Sequence, residues 1–271
     1  MPELPEVETI KRQLNRKIKG KKIKKVEVIL PRFVKYPLKK FEELVTGATI
    51  SDISRRAKLL IIELSKGYCL IIHLKLTGQL VFKGQPTKHT HLIYHFTDGS
   101  QLIHNDLRQF GFVKVILKKK LADFLAKEKF GPELLDKNFT LNLFKKLLNK
   151  RKGAKIKPLL MDQKFLAGIG NIYSNEILFF ARILPTRRAG SLKSEEIKKI
   201  YQGIKKILSL ALSRRGSSVQ YYVDAKGEKG NFVPLIKVYQ REGQDCLICH
   251  SKIKQLKIGG RSAYFCPRCQ K

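Results

Sequence analysis

Two groups of residues in this chain have the type and spacing to do chemistry. The first is the opening run Met1-Pro2-Glu3-Leu4-Pro5-Glu6. Removal of Met1, which the small residue behind it favours, would leave Pro2 as the terminus with a secondary amine. An α-amino group titrates near pH ~8, so a useful fraction is unprotonated at neutral pH without special burial. Glu3 lies one residue away, and a nitrogen nucleophile beside a carboxyl group that gives or takes a proton is the minimum equipment for attack on a sugar carbon followed by elimination. The same residues also read as an ordinary helix start. Pro5 suits the first helical position, and Val7, Ile10 and Leu14 make a buried stripe. Glu6 and Glu8 then face the positive end of the dipole, with Lys11, Arg12, Arg16 and Lys17 toward the negative end. The two readings are compatible: the helix would aim the terminus, and Pro2 would be its working end.

The second group is Cys246-x-x-Cys249 followed, after sixteen intervening residues, by Cys266-x-x-Cys269. Four thiolates in two knuckles are the tetrahedral ligand set that zinc prefers, with two disulfides as the alternative. The intervening length suits one hairpin turning at Gly259-Gly260, too small to bury a core, so one structural zinc ion would supply its folding energy. Arg261 follows that turn and would project from the tip, either bridging phosphates or standing as a solvated charge. Cys69, within Tyr68-Cys69-Leu70-Ile71-Ile72, reads as a buried apolar residue.

The chain that must position these groups has 271 residues, with 56 Lys plus Arg against 22 Asp plus Glu, a formal charge of +34. Its length predicts more than one domain. Its charge repels itself unless a polyanion is present, and nucleic acid or an anionic membrane is the obvious partner, although a generally lysine-rich proteome gives the same balance. The longest apolar runs are strand-sized, which excludes a transmembrane span, and the acidic, proline-punctuated start is unlike a signal or transit peptide. The expectation is a cytosolic, nucleic-acid-facing protein without membrane association.

Alternation and turn signals predict strands at Ala48 to Ile53, Leu59 to Leu64, Tyr68 to Leu74, Leu92 to Phe96, Gln101 to His104 and Phe112 to Leu117, preceded by a lysine-faced strand near Ile23. Short strands spaced by turns imply an antiparallel sandwich or barrel with the first helix packed on it, and hence an α+β chain. From Leu121 the period becomes helical. Ile156 to Gln163 reads as a helix, Lys164 to Gly170 as a glycine-rich turn, and Asn171 to Ala181 as a second helix with Asn171 at its N-cap. Such a pair presents backbone N–H groups to phosphate. A third helix runs from about Ser194 to Arg214, and Gly216 to Pro234 reads as a binding loop or a disordered connector. The predicted domains are 1–130, a β-sandwich; 131–235, helical; and 236–271, the zinc hairpin.

These pieces resemble the formamidopyrimidine-DNA glycosylase family over nearly the whole chain. The resemblance rests on Pro2-Glu3-Leu4-Pro5-Glu6-Val7-Glu8-Thr9, Arg55-Arg56-Ala57-Lys58, His73-Leu74-x-x-Thr77-Gly78, Lys88-His89-x-His91 and Asp106-x-Arg108-x-Phe110-Gly111. It continues through Ile156-Lys157-Pro158, Gly168-x-Gly170-Asn171-Ile172-Tyr173 and the four cysteines. It implies a helix-two-turn-helix between sandwich and zinc finger. It also implies a monomeric bacterial base-excision-repair enzyme, cytoplasmic and nucleoid-associated, that excises oxidised purines such as 8-oxoguanine and formamidopyrimidines from double-stranded DNA and then cuts the backbone. By the resemblance, the lesion is rotated out of the stack. Pro2 attacks C1′ and forms an iminium (Schiff base), Glu3 assists ring opening, Glu6 helps hold the terminus, Lys58 contacts the lesion side, and β,δ-elimination follows. Lys157, Asn171 and Arg261 align with residues that grip phosphates, and His73 and His91 with histidines near the DNA backbone. Arg108 and Phe110 match two of three wedge residues, while Leu76 takes the place of a methionine, similar in volume but without its flexible thioether. Ser217 and Ser218 lie in the loop that covers the everted purine. The rival readings are an endonuclease VIII-like glycosylase for oxidised pyrimidines and a non-catalytic, zinc-containing DNA-binding protein.

Overall fold

A computed structural model describes residues 1–271, which divide into two compact units: Met1–Lys129 with Arg214–Val233, and Phe130–Ser213 with Pro234–Lys271.

In the first unit, α1 (Leu4–Ile18) buries Val7, Ile10, Leu14 and Ile18, the stripe its 3.6-residue period requires. Eight strands follow: β1 (Ile23–Val28), β2 (Ile50–Arg56), β3 (Leu59–Leu64), β4 (Tyr68–His73), β5 (Gly78–Phe82), β6 (Thr90–Phe96), β7 (Gln101–Asp106) and β8 (Phe112–Leu117). They form two four-stranded antiparallel sheets, ordered β1-β6-β7-β5 and β2-β3-β4-β8. One apolar core joins both sheets to α1. β3 and β4 are buried along almost their whole length, as their unbroken apolar runs demand. Cys69 lies in that interior, fully buried, and burial pushes its thiol up to about 11. Of the three connections that pass between sheets, the one from β1 to β2 is long and two are short, β4 to β5 through residues 74–77 and β7 to β8 through residues 107–111. Short helices α2 (Leu38–Val45) and α3 (Leu121–Lys127) complete the unit.

The second unit holds α4 (Leu141–Asn149), α5 (Ile156–Met161), α6 (Asn171–Ala181) and α7 (Ser194–Ser213). α6 is apolar on nearly every side and almost wholly buried, so it is the central element. α7 packs on it through Ile200, Ile204, Leu208 and Ala211, and Gly203 permits close approach because a Cβ there would stand 3.2 Å from the Ile177 carbonyl oxygen. β9 (Lys254–Ile258) and β10 (Arg261–Phe265) form the expected hairpin, with Gly259 and Gly260 at φ 55° and 75°, where glycine is favoured.

The structure differs from the sequence reading at several points, α2 among the elements not foreseen. β5 was not foreseen, because a five-residue strand beginning with Gly carries little periodic signal. Asn171 is the first residue inside α6, not its cap; Gly170, in extended conformation, is the N-cap. Arg214–Val233 packs with the first unit, whereas the reading attached it to the helices. No helix is long and apolar enough to cross a membrane.

Candidate functional site

Glu3 occupies the N-cap of α1 with Pro5 in the first turn, and Pro2, Glu3 and Glu6 are all buried. The Glu3 N–H donates to Glu6 Oε2 at 2.8 Å, while the Ser217 N–H, from the Arg214–Val233 segment, donates to Glu6 Oε1 at 2.8 Å. The chain's α-amino group, here on Met1, lies among Glu3, Glu6 and Lys58; burial pulls its pKa below the ordinary value, opposed by the two carboxylates and assisted by Lys58. A shift in this direction enlarges the fraction of the amine that carries a free lone pair.

Lys58 is itself only 6% exposed. It follows Ala57, at φ 53°, in the β2–β3 turn. Arg55 holds that turn: its Nη1 donates to the Ala57 carbonyl at 2.8 Å and its Nε to Glu8 Oε2 at 2.9 Å, while Arg12 Nε donates to Glu8 Oε1 at 2.8 Å. Burial alone would raise the Glu8 carboxyl, but the bonds from Arg12 and Arg55 outweigh it and hold the group below the usual carboxylate range. Thus Glu8 ties the helix that carries the terminus to the turn that carries Lys58.

The two short connections between sheets meet at Asp106, which is fully buried. Its carboxylate accepts from the Thr77 hydroxyl, from the Arg108 N–H at 3.2 Å and from the Gly111 N–H at 2.7 Å. Its carbonyl accepts from His91 Nε2 at 2.7 Å, so that nitrogen carries the proton. This knot leaves Leu76 half-buried and Arg108 and Phe110 exposed, with the Arg108 guanidinium 4.8 Å from the centre of the Phe110 ring. His73 ends β4 beside this corner. Its Nδ1 accepts the Lys75 N–H at 2.9 Å, and burial, together with Lys75 and Lys58, lowers its pKa to about 3, so it is neutral. Leu76, Arg108 and Phe110 therefore gather on paired connections; His91 is a buried brace.

Gly216 to Pro234 is irregular but for one β-bridge, Ser217 to Asn231, and a 3-10 turn at its end, yet it is well tied down. Asp224, fully buried, accepts from Gln13 Nε2 at 2.8 Å, Arg215 Nη1 at 3.0 Å and the N–H groups of Lys226 and Glu228 at 2.9 and 3.1 Å. Gln13 Oε1 accepts from the Ala225 N–H at 2.8 Å. The Ser218 hydroxyl donates to the Tyr222 carbonyl at 2.7 Å and accepts the Gly230 N–H at 2.8 Å, whereas the buried Ser217 hydroxyl has no hydrogen-bond partner within the protein.

In the second unit Lys157, 1% exposed, donates from Nζ to Asn171 Oδ1 at 2.6 Å, joining α5 to the start of α6. Gln163 shapes the turn between them, donating to the Met161 and Ile169 carbonyls and accepting the Gly168 N–H, at 2.8, 2.8 and 2.9 Å. This corner sets the positive end of α6 beside the Lys157 ammonium, a charge arrangement suited to an anion. One turn on, Asn175 Oδ1 accepts the Tyr264 N–H at 2.8 Å, and Glu176 accepts the N–H groups of Lys237, Val238 and Tyr239 at 2.9, 3.0 and 2.9 Å. Through these bonds α6 carries the hairpin on which Arg261 is exposed. The sulfurs of Cys246, Cys249, Cys266 and Cys269 lie within 4.8 Å of one another, with Cys246–Cys269 and Cys249–Cys266 at 3.8 and 3.4 Å. A tetrahedral zinc with Zn–S of about 2.3 Å needs sulfurs about 3.8 Å apart, whereas a disulfide needs about 2.05 Å. The four sulfurs fit zinc.

Three family models match in the order of these parts. Residues 1–113 match the formamidopyrimidine-DNA glycosylase N-terminal domain, 130–223 its H2TH domain, and 243–271 the zinc finger found in FPG and IleRS. The fold and its cysteine cluster thus define an H2TH DNA glycosylase with a structural zinc finger. Formamidopyrimidine-DNA glycosylases of Pelotomaculum thermopropionicum and Streptococcus mutans are 44% and 40% identical over all of this chain and 99% and 100% of their own length. A Lactococcus lactis FPG variant in complex with Fapy-dG-containing DNA superposes with a TM-score of 0.93 at 37% identity, covering both chains completely. MutM in complex with carbocyclic 8-oxo-G-containing DNA gives 0.92 at 36%, again over both full chains. This chain belongs to the formamidopyrimidine-DNA glycosylase family.

Gln13, Asp224, Asn175 and Glu176 had not been singled out from sequence; each acts on a partner distant in the chain, and no local motif marks them. Gln163 was missed although its partners are near in the chain, and Glu8 and Arg55 stood inside quoted motifs without their mutual bond being legible. Asp106 stood inside a quoted motif, but its role as the knot needed the two sheets in place.

Proposed function

We propose that this chain is a bifunctional DNA glycosylase and AP lyase of base excision repair, acting as a monomer on duplex DNA in the bacterial cytoplasm. The observation that carries this reading is the buried amine among Glu3, Glu6 and Lys58. With Met1 removed, the Pro2 nitrogen attacks C1′, and the C1′–N bond to the damaged base breaks with the base leaving. Glu3 gives a proton to the ring oxygen as the C1′–O bond opens, leaving an iminium between Pro2 and C1′. Loss of the C2′ proton expels the 3′ phosphate, and a second elimination expels the 5′ phosphate. Lys58 supplies positive charge beside the lesion. Leu76, Arg108 and Phe110 fill the space vacated by the everted nucleotide. His73 and His91 border the backbone, Ser217 and Ser218 belong to the loop over the base, and Lys157, Asn171 and Arg261 hold phosphates. The zinc ion orders the hairpin and takes no part in the chemistry.

The lesions are oxidised purines, in line with the Fapy-dG and 8-oxo-G complexes of the relatives. Oxidised pyrimidines stand second, because a Lactococcus lactis Fpg has also been captured with DNA containing one. Borohydride trapping decides. Purified protein with duplex 8-oxoguanine opposite cytosine should give a covalent band on a denaturing gel, absent in a Pro2→Thr variant. A band only with thymine glycol would favour the pyrimidine reading, and no band with either would leave a DNA-binding protein without lyase chemistry.

A further inference from the structure

The Glu6 carboxylate divides its two oxygens between different parts of the molecule. One accepts from Glu3, beside the terminus, and the other from Ser217, at the entry of the Gly216–Pro234 loop. The contact is sterically selected as well. Gly216 has φ 86°, and a Cβ there would stand 2.7 Å from Glu6 Oε1; a Cβ on Gly230 would stand 2.3 Å from the Gly216 carbonyl oxygen. Seven residues along the same helix, Gln13 grips the far side of the loop through Asp224 and Ala225. The entry and the middle of the loop therefore both rest on α1, but only the entry shares its anchor with the terminus.

We infer that Glu6 is a positioning residue that couples the seating of the Gly216–Pro234 loop to the placement of the terminal amine, so that an unseated loop leaves the nucleophile misplaced even when no base has to be held. This rests on the reading of Pro2 as the nucleophile. The coupling needs two acceptor atoms on one side chain. A carboxylate has them, whereas a carboxamide offers one oxygen and turns an NH₂ toward the other donor.

Abasic DNA separates this role from that of a lid that only covers a base. On an abasic site the amine adds to the C1′ aldehyde of the open sugar and water leaves, with no base present. Glu6→Gln and Gly216→Ala should both slow borohydride trapping on abasic duplex by on the order of tenfold. Gln13→Leu, which loosens the middle of the loop and leaves its Ser217 entry seated on Glu6, should slow 8-oxoguanine excision while trapping the abasic site at the wild-type rate. Glu6→Gln should also move the rise of trapping rate with pH to lower pH, since a negative charge beside the amine is gone. A purely structural role would not shift that limb. Wild-type trapping rates on abasic DNA in Glu6→Gln would overturn the coupling, as would an equal loss in Gln13→Leu. If Gly216→Ala does not fold, Glu6→Gln decides alone, because it keeps the volume of the side chain. Failure of the wild-type protein to trap at all would instead reject Pro2 as the nucleophile.

Discussion

Replacement of Glu176 should loosen the zinc hairpin in two measurable steps. The side chain is 2% exposed and receives three backbone N–H groups, two on Oε1 from Val238 and Tyr239 and one on Oε2 from Lys237. Burial raises its pKa, and the three donors pull the other way. In Glu176→Gln the carboxamide oxygen can keep the two Oε1 bonds, while Lys237 would meet an NH₂. One buried donor left unpaired costs about 1–3 kcal/mol, partly offset because a buried charge has also been removed. Glu176→Ala strands all three donors, so its cost should reach at least ~3 kcal/mol even if water enters the space. At roughly 3 °C per kcal/mol the alanine variant should melt on the order of 10 °C lower, with the glutamine variant in between. Thermal unfolding followed together with zinc release to a chromophoric chelator reads both steps, and zinc should escape earlier in the same order. An alanine variant melting within about 2 °C of wild type, or equal shifts for the two variants, would refute the view that this carboxylate anchors the hairpin to α6.

His73 and the fully buried His104 are both held neutral by burial, with pKa values lowered to about 3. Because these folded values lie below the unfolded value of ~6.5, their contribution is complete above pH ~6.5 and is lost as pH falls toward 3, at up to ~1.4 kcal/mol per pH unit for each. Denaturant unfolding at stepped pH should show this decline, and His104→Leu should flatten it. Stripping the metal with a strong chelator should make the region from Gln244 to Lys271 susceptible to protease and weaken DNA binding; unaltered cleavage would disconnect the metal from the hairpin's order. Arg261→Ala should weaken binding and reduce the slope of log affinity against log salt by about one, the signature of one lost phosphate contact, and an unchanged slope would place Arg261 off the backbone.

Much of this could be read from the sequence, and the remainder has a common cause. The ends of β3 and β8 matched the expected Leu59–Leu64 and Phe112–Leu117, because an unbroken apolar run in β3 and an alternating one in β8, each bounded by turn signals, announce themselves locally. The hairpin turn at Gly259-Gly260 did so as well. What escaped were long-range polar bonds. Gln13 and Asp224 lie 211 positions apart, and no period or motif in either segment points to the other. Assigning the Arg214–Val233 segment to the helices failed for the same reason: it follows α7 in the chain but bonds to Glu6, Gln13 and Gln79. Asn171 was a plausible cap by type, yet its amide oxygen is engaged by a lysine fourteen residues earlier, leaving Gly170 to open the helix.

The knot at Asp106 separates what holds the corner from what the corner shows. Thr77, Asp106 and Gly111 fix both connections by bonds within the unit, and a Cβ on Gly111 would come within 2.9 Å of the Asp106 carboxylate, so these positions tolerate little change. Leu76, Arg108 and Phe110 contribute none of the knot's side-chain bonds. Their side chains can therefore change without removing any of the bonds that hold the corner. Changes at these three positions, made one at a time, leave the backbone of both connections pinned where the knot holds it.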